Sequence, residues 1–183
     1  MLETLKQLTI SLQKENLTWA VGGSLMLTLR GIDHNPNDID LLVSERDAAS
    51  VKKILNSLAR EIDLTSSSLI FSSTHFAKYS LGDIGIDLMS NFGVKHSEGL
   101  YVCPFDQSSI TTHVSLQNTA VPLCALEEWY VLYSLMPNRQ SKVNGIEEHF
   151  LKHGIENPKL LQKALEQPLP TSLQNRIKTW ILR

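Results

Sequence analysis

The hydrophobic positions near the start of the chain change from helical to strand spacing. Apolar residues first recur at the three- and four-residue intervals of an amphipathic helix, at Leu2, Leu5, Leu8 and Leu12. An apolar run over Trp19–Val21 then predicts a strand, which ends in the triplet Gly22-Gly23-Ser24. Residues 24–31 are largely apolar, which predicts a short and mostly buried helix.

Two later segments alternate polar and apolar residues with the two-residue period of a strand. In residues 38–43, Asp38 and Asp40 lie on one side, and the apolar residues between and after them can face a core. In residues 84–90, the apolar positions share one face and Asp87 lies on the other. The sequence therefore predicts two strands that present acidic side chains opposite a buried face.

The rest of the pattern predicts further helices and strands. Helices are predicted over residues 44–60, 124–136, 140–153, 158–167 and 171–183. Strands are predicted over residues 69–71, 75–81, 99–105, 110–116 and 119–123, and the turn Gly82-Asp83 joins 75–81 to 84–90 as a hairpin. We place a boundary near residue 123, between a sheet-containing domain (1–123) and a C-terminal helical region (124–183).

Composition and charge add modest constraints. The 183 residues suffice for one domain with a sizeable core, or for a core with a small helical appendage. A formal net charge of -2 gives no overall attraction to nucleic acid, so a small binding partner is favoured over a long polynucleotide. The N-terminal segment lacks the apolar run of a signal peptide or membrane span, which predicts a cytoplasmic protein.

The two cysteines, Cys103 and Cys124, stand in apolar surroundings far apart in sequence. We interpret them as buried free thiols, and a disulfide between them stays an open alternative.

The acidic pair on the first of these strands indicates a cation site. Asp38 and Asp40 are held side by side, and like charges at that distance repel unless a cation lies between them. Carboxylate oxygens suit Mg²⁺, which typically takes one or two carboxylates together with substrate phosphates. The glycine turn would supply the phosphate end, because Gly22 and Gly23 let backbone N–H groups approach an anion and Ser24 begins a helix.

These motifs, in this order, resemble the nucleotidyltransferase superfamily that includes DNA polymerase beta and the aminoglycoside nucleotidyltransferases. Its pattern is Gly-Gly/Ser, then Asp-x-Asp, then a third carboxylate on a later strand. The resemblance covers about residues 16–92, with Asp87 as the matching third carboxylate. It implies an α+β fold in which a mixed β-sheet is flanked by helices and followed by a small helical region.

The resemblance also implies a reaction. Asp38, Asp40 and Asp87 would bind Mg²⁺ or Mn²⁺, and the glycine turn would hold the phosphates of a nucleoside triphosphate, ATP or another. Relatives often carry Arg and Lys near the start of a tail helix, which makes Arg139 and Lys142 candidates for triphosphate contacts. The nucleoside monophosphate would pass to a hydroxyl of a small-molecule or protein acceptor, with release of pyrophosphate.

Several residues invite other assignments. Asp83 is the rival of Asp87, but it lies in a turn, where aspartates are common, and Asp33 is interpreted as a turn residue for the same reason. His149 and His153 have the spacing of a zinc pair. Because His149 is not followed by Glu and no third ligand is evident, a solvated helix face is the better interpretation.

Three functional hypotheses follow. The first is a metal-dependent nucleotidyltransferase. The second is a non-catalytic or weakly active nucleotide-binding or partner-binding protein of the same fold, such as a toxin–antitoxin component. In the third, the aspartates only cap and turn the backbone and no metal binds.

Overall fold

A mixed β-sheet with helices packed against it forms most of the molecule. The computed structural model describes residues 1–32, 35–63 and 69–183. In chain order, the strands of this part are β1 (Trp19–Val21), β2 (Asp38–Val43), β3 (Arg60–Ile62), β4 (Phe71–Ser72), β5 (His75–Leu81), β6 (Ile84–Ser90), β7 (Gly93–His96), β8 (Gly99–Val102), β9 (Ile110–Leu116) and β10 (Thr119–Cys124). The helices are α1 (Leu2–Leu12), α2 (Gly23–Leu29), α3 (Ala48–Leu58), α4 (Leu126–Leu135), α5 (Gln140–His153), α6 (Pro158–Ala164) and α7 (Thr171–Ile181).

The strands form two sheets. The larger has the order β3-β5-β6-β2-β1-β10-β9, and the smaller has the order β4-β7-β8. In the larger sheet, β2 pairs with β6 and β1 pairs with β10 in parallel, whereas the other pairs are antiparallel. The fold is therefore α+β with a mixed sheet flanked by helices, as the family resemblance implies.

Strand β2 lies in the middle of the larger sheet, between β6 and β1. Ile39, Leu41 and Val43 are buried, whereas Asp38 and Asp40 keep part of their surface exposed. Burial of each aliphatic side chain stabilises the folded state by about 1.5–3 kcal/mol, so a shift of register by one residue is strongly disfavoured. The predicted hairpin is confirmed, because β5 and β6 pair across the turn at Gly82, where φ is +60°.

One hydrophobic cluster extends through both predicted parts of the chain. It contains Leu5 in α1, the apolar side chains of the central strands and Ile177 in α7. Helix α4 is buried along most of its length, between the helices α5 and α6 and the smaller sheet. A shared core is compatible with one domain or with two tightly packed parts, so the division at residue 123 stays a prediction.

Several local features differ from the sequence prediction. The helix expected to reach about residue 60 ends at Leu58, and Arg60–Ile62 instead forms the edge strand β3. Strand β7 has no clear alternation and is formed by its pairing with β4 and β8.

The interpretation of the cysteines is confirmed, because Cys103 and Cys124 are buried and free. The predicted turn residue Asp33 lies outside the described residues.

No helix in the described ranges combines the length and apolar character that a membrane span requires.

Candidate active site

The glycine turn between β1 and α2 lies directly against the first acidic strand. The backbone N–H of Gly22 donates to the carbonyl oxygen of Asp40 at 2.9 Å. Gly23 has a φ of +62°, and a Cβ there would lie 1.7 Å from Oδ2 of Asp40. A Cβ on Gly22 would lie 2.3 Å from the indole ring of Trp129. Only glycine fits at either position, so the turn and the carboxylate are packed as one unit.

The register of two parallel strands brings the three predicted carboxylates to one cavity. Asp40 on β2 lies opposite Asp87 on β6, and Asp38 is two residues before Asp40 on the same face. All three side chains line a cavity of about 800 Å³. The rival Asp83 lies instead in the exposed turn between β5 and β6.

The charges at this cavity disfavour a fully ionised, metal-free site. Burial, together with the negative charges of Asp38 and Asp87, raises the pKa of Asp40 to about 7. Burial also raises the pKa of Asp87, although hydrogen bonds from Lys78 oppose the shift. A divalent cation would relieve this repulsion, and carboxylate oxygens are the donors that Mg²⁺ prefers. The residues present therefore fit a magnesium ion.

Asp87 already has a cationic partner in this structure. The ammonium nitrogen of Lys78 donates to both carboxylate oxygens of Asp87, at 2.7 and 3.0 Å. Within the described ranges, no three His, Cys, Asp or Glu side chains form a group that could hold a metal ion. Asp38 and Asp40 meet the usual magnesium requirement of one or two carboxylates. Participation of Asp87 in metal binding stays a prediction.

Both predicted tail residues, Arg139 and Lys142, line the same cavity. Lys142 on α5 donates to Oγ of Ser24, and its ammonium nitrogen lies 4.8 Å from the ring centroid of Tyr133. Burial and the nearby charge of Arg139 lower the pKa of Lys142, whereas Asp40 and Asp38 favour its charged form. Arg139 also lines the cavity. Helix α5 and the residue before it thus bring both predicted phosphate contacts to the cavity, and Lys142 reaches Ser24 at the glycine turn.

The two histidines with the spacing of a zinc pair are not among the described residues that line this cavity. The rings of His149 and His153 are 4.5 Å apart on α5, and burial and the charge of His153 lower the pKa of His149. These histidines belong to no metal-binding group in the described ranges. That this helix face binds no zinc stays a prediction.

Sequence reasoning missed Lys78 and the apolar side chains of the cavity. The sequence does indicate the position of Lys78, because a hairpin closed by Gly82-Asp83 places Lys78 opposite Asp87. The missed apolar residues are Phe71, Phe76, Met89, Phe92, Trp129, Tyr133 and Met136. They come from three strands, from the loop after β6, and from α4 and the residue that follows it, so no single sequence motif unites them.

Comparison with solved structures supports the fold assignment. TM1012 from Thermotoga maritima, a proposed nucleotidyltransferase, is 23% identical with a TM-score of 0.62, covering 83% of this chain and 93% of its own. ANT(2'')-Ia, solved in complex with adenylyl-2''-tobramycin, is 12% identical with a TM-score of 0.55, covering 82% and 88%. The lincosamide antibiotic adenylyltransferase LnuA, solved with lincomycin, is 11% identical with a TM-score of 0.52, covering 79% and 95%. At these identities the likeness concerns the fold.

Comparison of sequences identifies the family. No curated protein sequence matches this chain significantly. The family model for aminoglycoside-2''-adenylyltransferase, in contrast, matches residues 4–153, which include every candidate site residue. Because that match covers most of the chain, the protein belongs to the aminoglycoside-2''-adenylyltransferase family and has a nucleotidyltransferase fold.

Proposed function

We propose that this protein transfers a nucleoside monophosphate from a nucleoside triphosphate, with ATP as the first candidate, to a hydroxyl group of an acceptor. Pyrophosphate is the second product. The proposal rests mainly on one observation. Asp38, Asp40 and Asp87 line one cavity, beside a glycine turn that packs on Asp40. We place this reaction in the cytoplasm, where nucleoside triphosphates are abundant.

Asp38 and Asp40 are the residues that would hold Mg²⁺ or Mn²⁺. Their carboxylates share one face of β2, and their mutual repulsion in a partly buried site favours a bound cation. When bound, the cation supplies charge neutralisation for the triphosphate and lowers the pKa of a nearby hydroxyl. The close contact between Gly23 and Asp40 fixes the carboxylate, so little reorganisation is needed when the nucleotide binds.

Two basic side chains of the cavity would hold the phosphates. Lys142 and Arg139 carry the positive charge, and the Ser24 hydroxyl can donate to a phosphate oxygen once Lys142 turns from it to the ligand. Gly22 and Gly23 pack against Trp129 and Asp40, which fixes the turn beside the carboxylates, and this turn would present Ser24 to the β- and γ-phosphates. This arrangement orients the α-phosphate toward the carboxylates on β2 and β6.

Asp87 would position the acceptor. Its carboxylate orients the hydroxyl and accepts the hydroxyl proton, a role that its raised pKa favours. The hydroxyl oxygen forms a bond to the α-phosphorus as the bond from that phosphorus to the bridging oxygen breaks. The electron pair of the broken bond leaves with pyrophosphate. Lys78 holds Asp87 in place in the absence of substrate.

Pyrophosphate release is the direct test of this proposal. Purified protein with Mg²⁺ would be given each of the four nucleoside triphosphates and a panel of hydroxyl acceptors. Tobramycin and lincomycin belong in the panel because solved relatives of the same fold were crystallised with an adenylylated or free form of them. We expect release with one triphosphate and one acceptor class, together with an adduct heavier by one nucleoside monophosphate.

Variants connect that activity to the cavity. Asp38→Asn and Asp87→Asn should each lower turnover by about a thousandfold, because each removes charge stabilisation in a partly buried site. Asp83→Asn, the matched change in the exposed turn, should leave turnover unchanged. Nucleotide binding without pyrophosphate release for any acceptor would favour the non-catalytic alternative, such as a toxin–antitoxin component. Absence of both nucleotide binding and pyrophosphate release would favour the third hypothesis, in which the aspartates have only a structural role.

A further inference from the structure

Arg30 is buried at the end of the helix that begins at the glycine turn. It directly follows α2, and only 5% of its side chain is exposed. Its guanidinium group donates to Oε1 of Glu156 at 2.7 Å, to Oγ1 of Thr111 at 2.8 Å and to the carbonyl oxygen of Cys124 at 3.2 Å. These acceptors belong to the segment between α5 and α6, to β9 and to β10. A buried cation with charge-assisted hydrogen bonds to three elements fixes the end of α2.

The segment that follows α5 is held at two neighbouring residues. Although burial opposes the shift, the hydrogen bond and the positive charge of Arg30 lower the pKa of Glu156, so the ion pair persists at neutral pH. The backbone N–H of Asn157 donates to Oε1 of Glu127, a buried side chain on α4, at 2.8 Å. The segment is therefore bound to α2 through Arg30 and to α4 through Glu127.

The opposite end of α2 makes a second contact with α5. Ser24 lies in the first turn of α2, and its Oγ accepts from the ammonium nitrogen of Lys142 in the first turn of α5. Helices α2 and α5 are thus connected at both ends, by Ser24 and Lys142 at one end and by Arg30 and Glu156 at the other. Ser24 and Lys142 line the cavity, whereas Arg30 and Glu156 are not among its described lining residues. A ligand in the cavity can therefore replace the first contact and leave the second intact.

We infer that the ion pair of Arg30 and Glu156 is a positioning pair for nucleotide binding, which keeps Lys142 within reach of the phosphates at the glycine turn. This inference rests on the proposed function, because it takes Ser24 and Lys142 as phosphate ligands. When the ammonium group of Lys142 turns from Ser24 to a phosphate, the contact between the helices at the cavity is lost. The pair at the other end then holds α5 beside α2, so only side chains rearrange and less conformational freedom is lost on binding.

The affinity for ATP with Mg²⁺, measured by isothermal titration calorimetry, tests the inference. Glu156→Ala breaks the ion pair and leaves Arg30 its acceptors on β9 and β10. By charge alone, loss of an acidic residue would favour binding of the triphosphate anion. We expect the opposite result, a dissociation constant about fivefold higher than that of wild type, because Lys142 is no longer held in place.

Two milder variants accompany Glu156→Ala. Glu156→Gln also loses the negative charge, but its amide oxygen can still accept from Arg30, so it should restore the affinity to within about twofold of wild type. Thr111→Val removes a different acceptor of Arg30 without a change of charge, and the dissociation constant for ATP should rise about twofold.

A double-mutant cycle with Lys142→Met separates positioning from a general loss of stability. If the pair acts through Lys142, Glu156→Ala has no further effect on ATP affinity in a protein that already carries Lys142→Met. Arg176→Met is the matched control, because it breaks an ion pair of the same length, 2.7 Å, between α7 and Glu147 on α5. It should leave ATP affinity unchanged, since Tyr130 still donates to Glu147.

The outcomes distinguish this inference from the proposed function. Unchanged or tighter ATP binding by Glu156→Ala and Thr111→Val would overturn the inference, and so would an equal loss in the Lys142→Met background or in Arg176→Met. The proposed function survives each of these results, provided that wild type binds ATP with Mg²⁺ and Lys142→Met weakens that binding. Absence of ATP binding by wild type would overturn the proposed function together with the inference.

Discussion

Lys78 holds both carboxylate oxygens of Asp87, at 2.7 and 3.0 Å, across the hairpin of β5 and β6. The two residues are a directly opposed cross-strand pair, so the turn at Gly82 fixes their contact. Asp87 is also opposed to Asp40 on the other side of β6. A lysine cation is therefore bound to one of the carboxylates of the cavity, next to the strand that carries the other two.

Replacement of Lys78 should strengthen metal binding. Lys78→Gln removes a positive charge near the carboxylates, and unit charges a few ångströms apart in water interact by about 1 kcal/mol. We expect the dissociation constant for Mn²⁺ to fall about fourfold, measured from the electron paramagnetic resonance signal of free Mn²⁺. Lys52→Gln, which removes an exposed ion pair with Glu61, is the control. An unchanged or higher dissociation constant for Lys78→Gln would contradict the assigned metal position.

Gly23 should be irreplaceable for a reason beyond its backbone angle. Gly23→Ala and Gly31→Ala both place a side chain at positive φ, +62° and +74°, which costs about 1–2 kcal/mol of stability. Only at Gly23 would the new Cβ meet the Asp40 carboxylate, since nothing lies within 4 Å at Gly31. Calorimetry should therefore find a larger destabilisation for Gly23→Ala, together with loss of nucleotide binding. Equal destabilisation and intact nucleotide binding would show that the turn and Asp40 are not coupled.

Lys142 should contribute to nucleotide affinity. Lys142→Met removes the ammonium group that contacts Ser24, and hydrogen bonds to charged groups are worth about 1.5–3 kcal/mol. We expect the dissociation constant for ATP with Mg²⁺ to rise about tenfold or more in isothermal titration calorimetry. Lys152→Met, an exposed change in the last turn of the same helix, should have no effect. A similar loss in both variants would indicate a general charge effect.

A buried acid away from the cavity should make stability depend on pH. Burial raises the pKa of Glu128 to about 7, although the hydrogen bond from Ser109 opposes the shift. Because the folded state favours the neutral acid, the wild-type protein loses stability as pH rises from about 4.5 to about 7. Glu128→Gln removes this loss, so its free energy of unfolding should exceed that of wild type by about 3 kcal/mol at pH 8. The difference should vanish below pH 4.5, the ordinary pKa of glutamate.

The measurement is denaturant unfolding at a series of pH values. Glu148→Gln changes an exposed glutamate on α5 and serves as the control. A constant difference between Glu128→Gln and wild type across the pH range would contradict the assigned cause.

The strands that carry the acidic residues could be predicted, because apolar and polar residues alternate along them and the apolar residues mark the buried face. Ile39 and Leu41 orient Asp38 and Asp40, and the aliphatic residues of β6 orient Asp87 in the same way. That β2 and β6 are neighbours in the sheet follows from the order of strands, which periodicity alone does not contain. The family resemblance supplied this information.

The aromatic side chains that line the cavity could not be predicted, because tertiary pairing brings them together. Phe71 lies on the two-residue strand β4, which exists only through its pairing with β7. Strand β7 itself lacks a two-residue alternation, since Gly93 and Val94 are both buried. Lys78 is different: the hairpin register defines its contact with Asp87, and counting back from the Gly82-Asp83 turn gives that register.

The central claim is that Asp40, beside the glycine turn, belongs to a site for a metal and a nucleotide. Thermal unfolding of wild type and Asp40→Asn, with and without Mg²⁺ and ATP, tests it most directly. Ligand at a hundred times its dissociation constant stabilises a protein by about 2.7 kcal/mol, or roughly 5–10 °C for a chain of this size. We predict such a rise for wild type only when Mg²⁺ and ATP are both present, and none for Asp40→Asn. An equal rise in both proteins, or none in wild type, would contradict the claim.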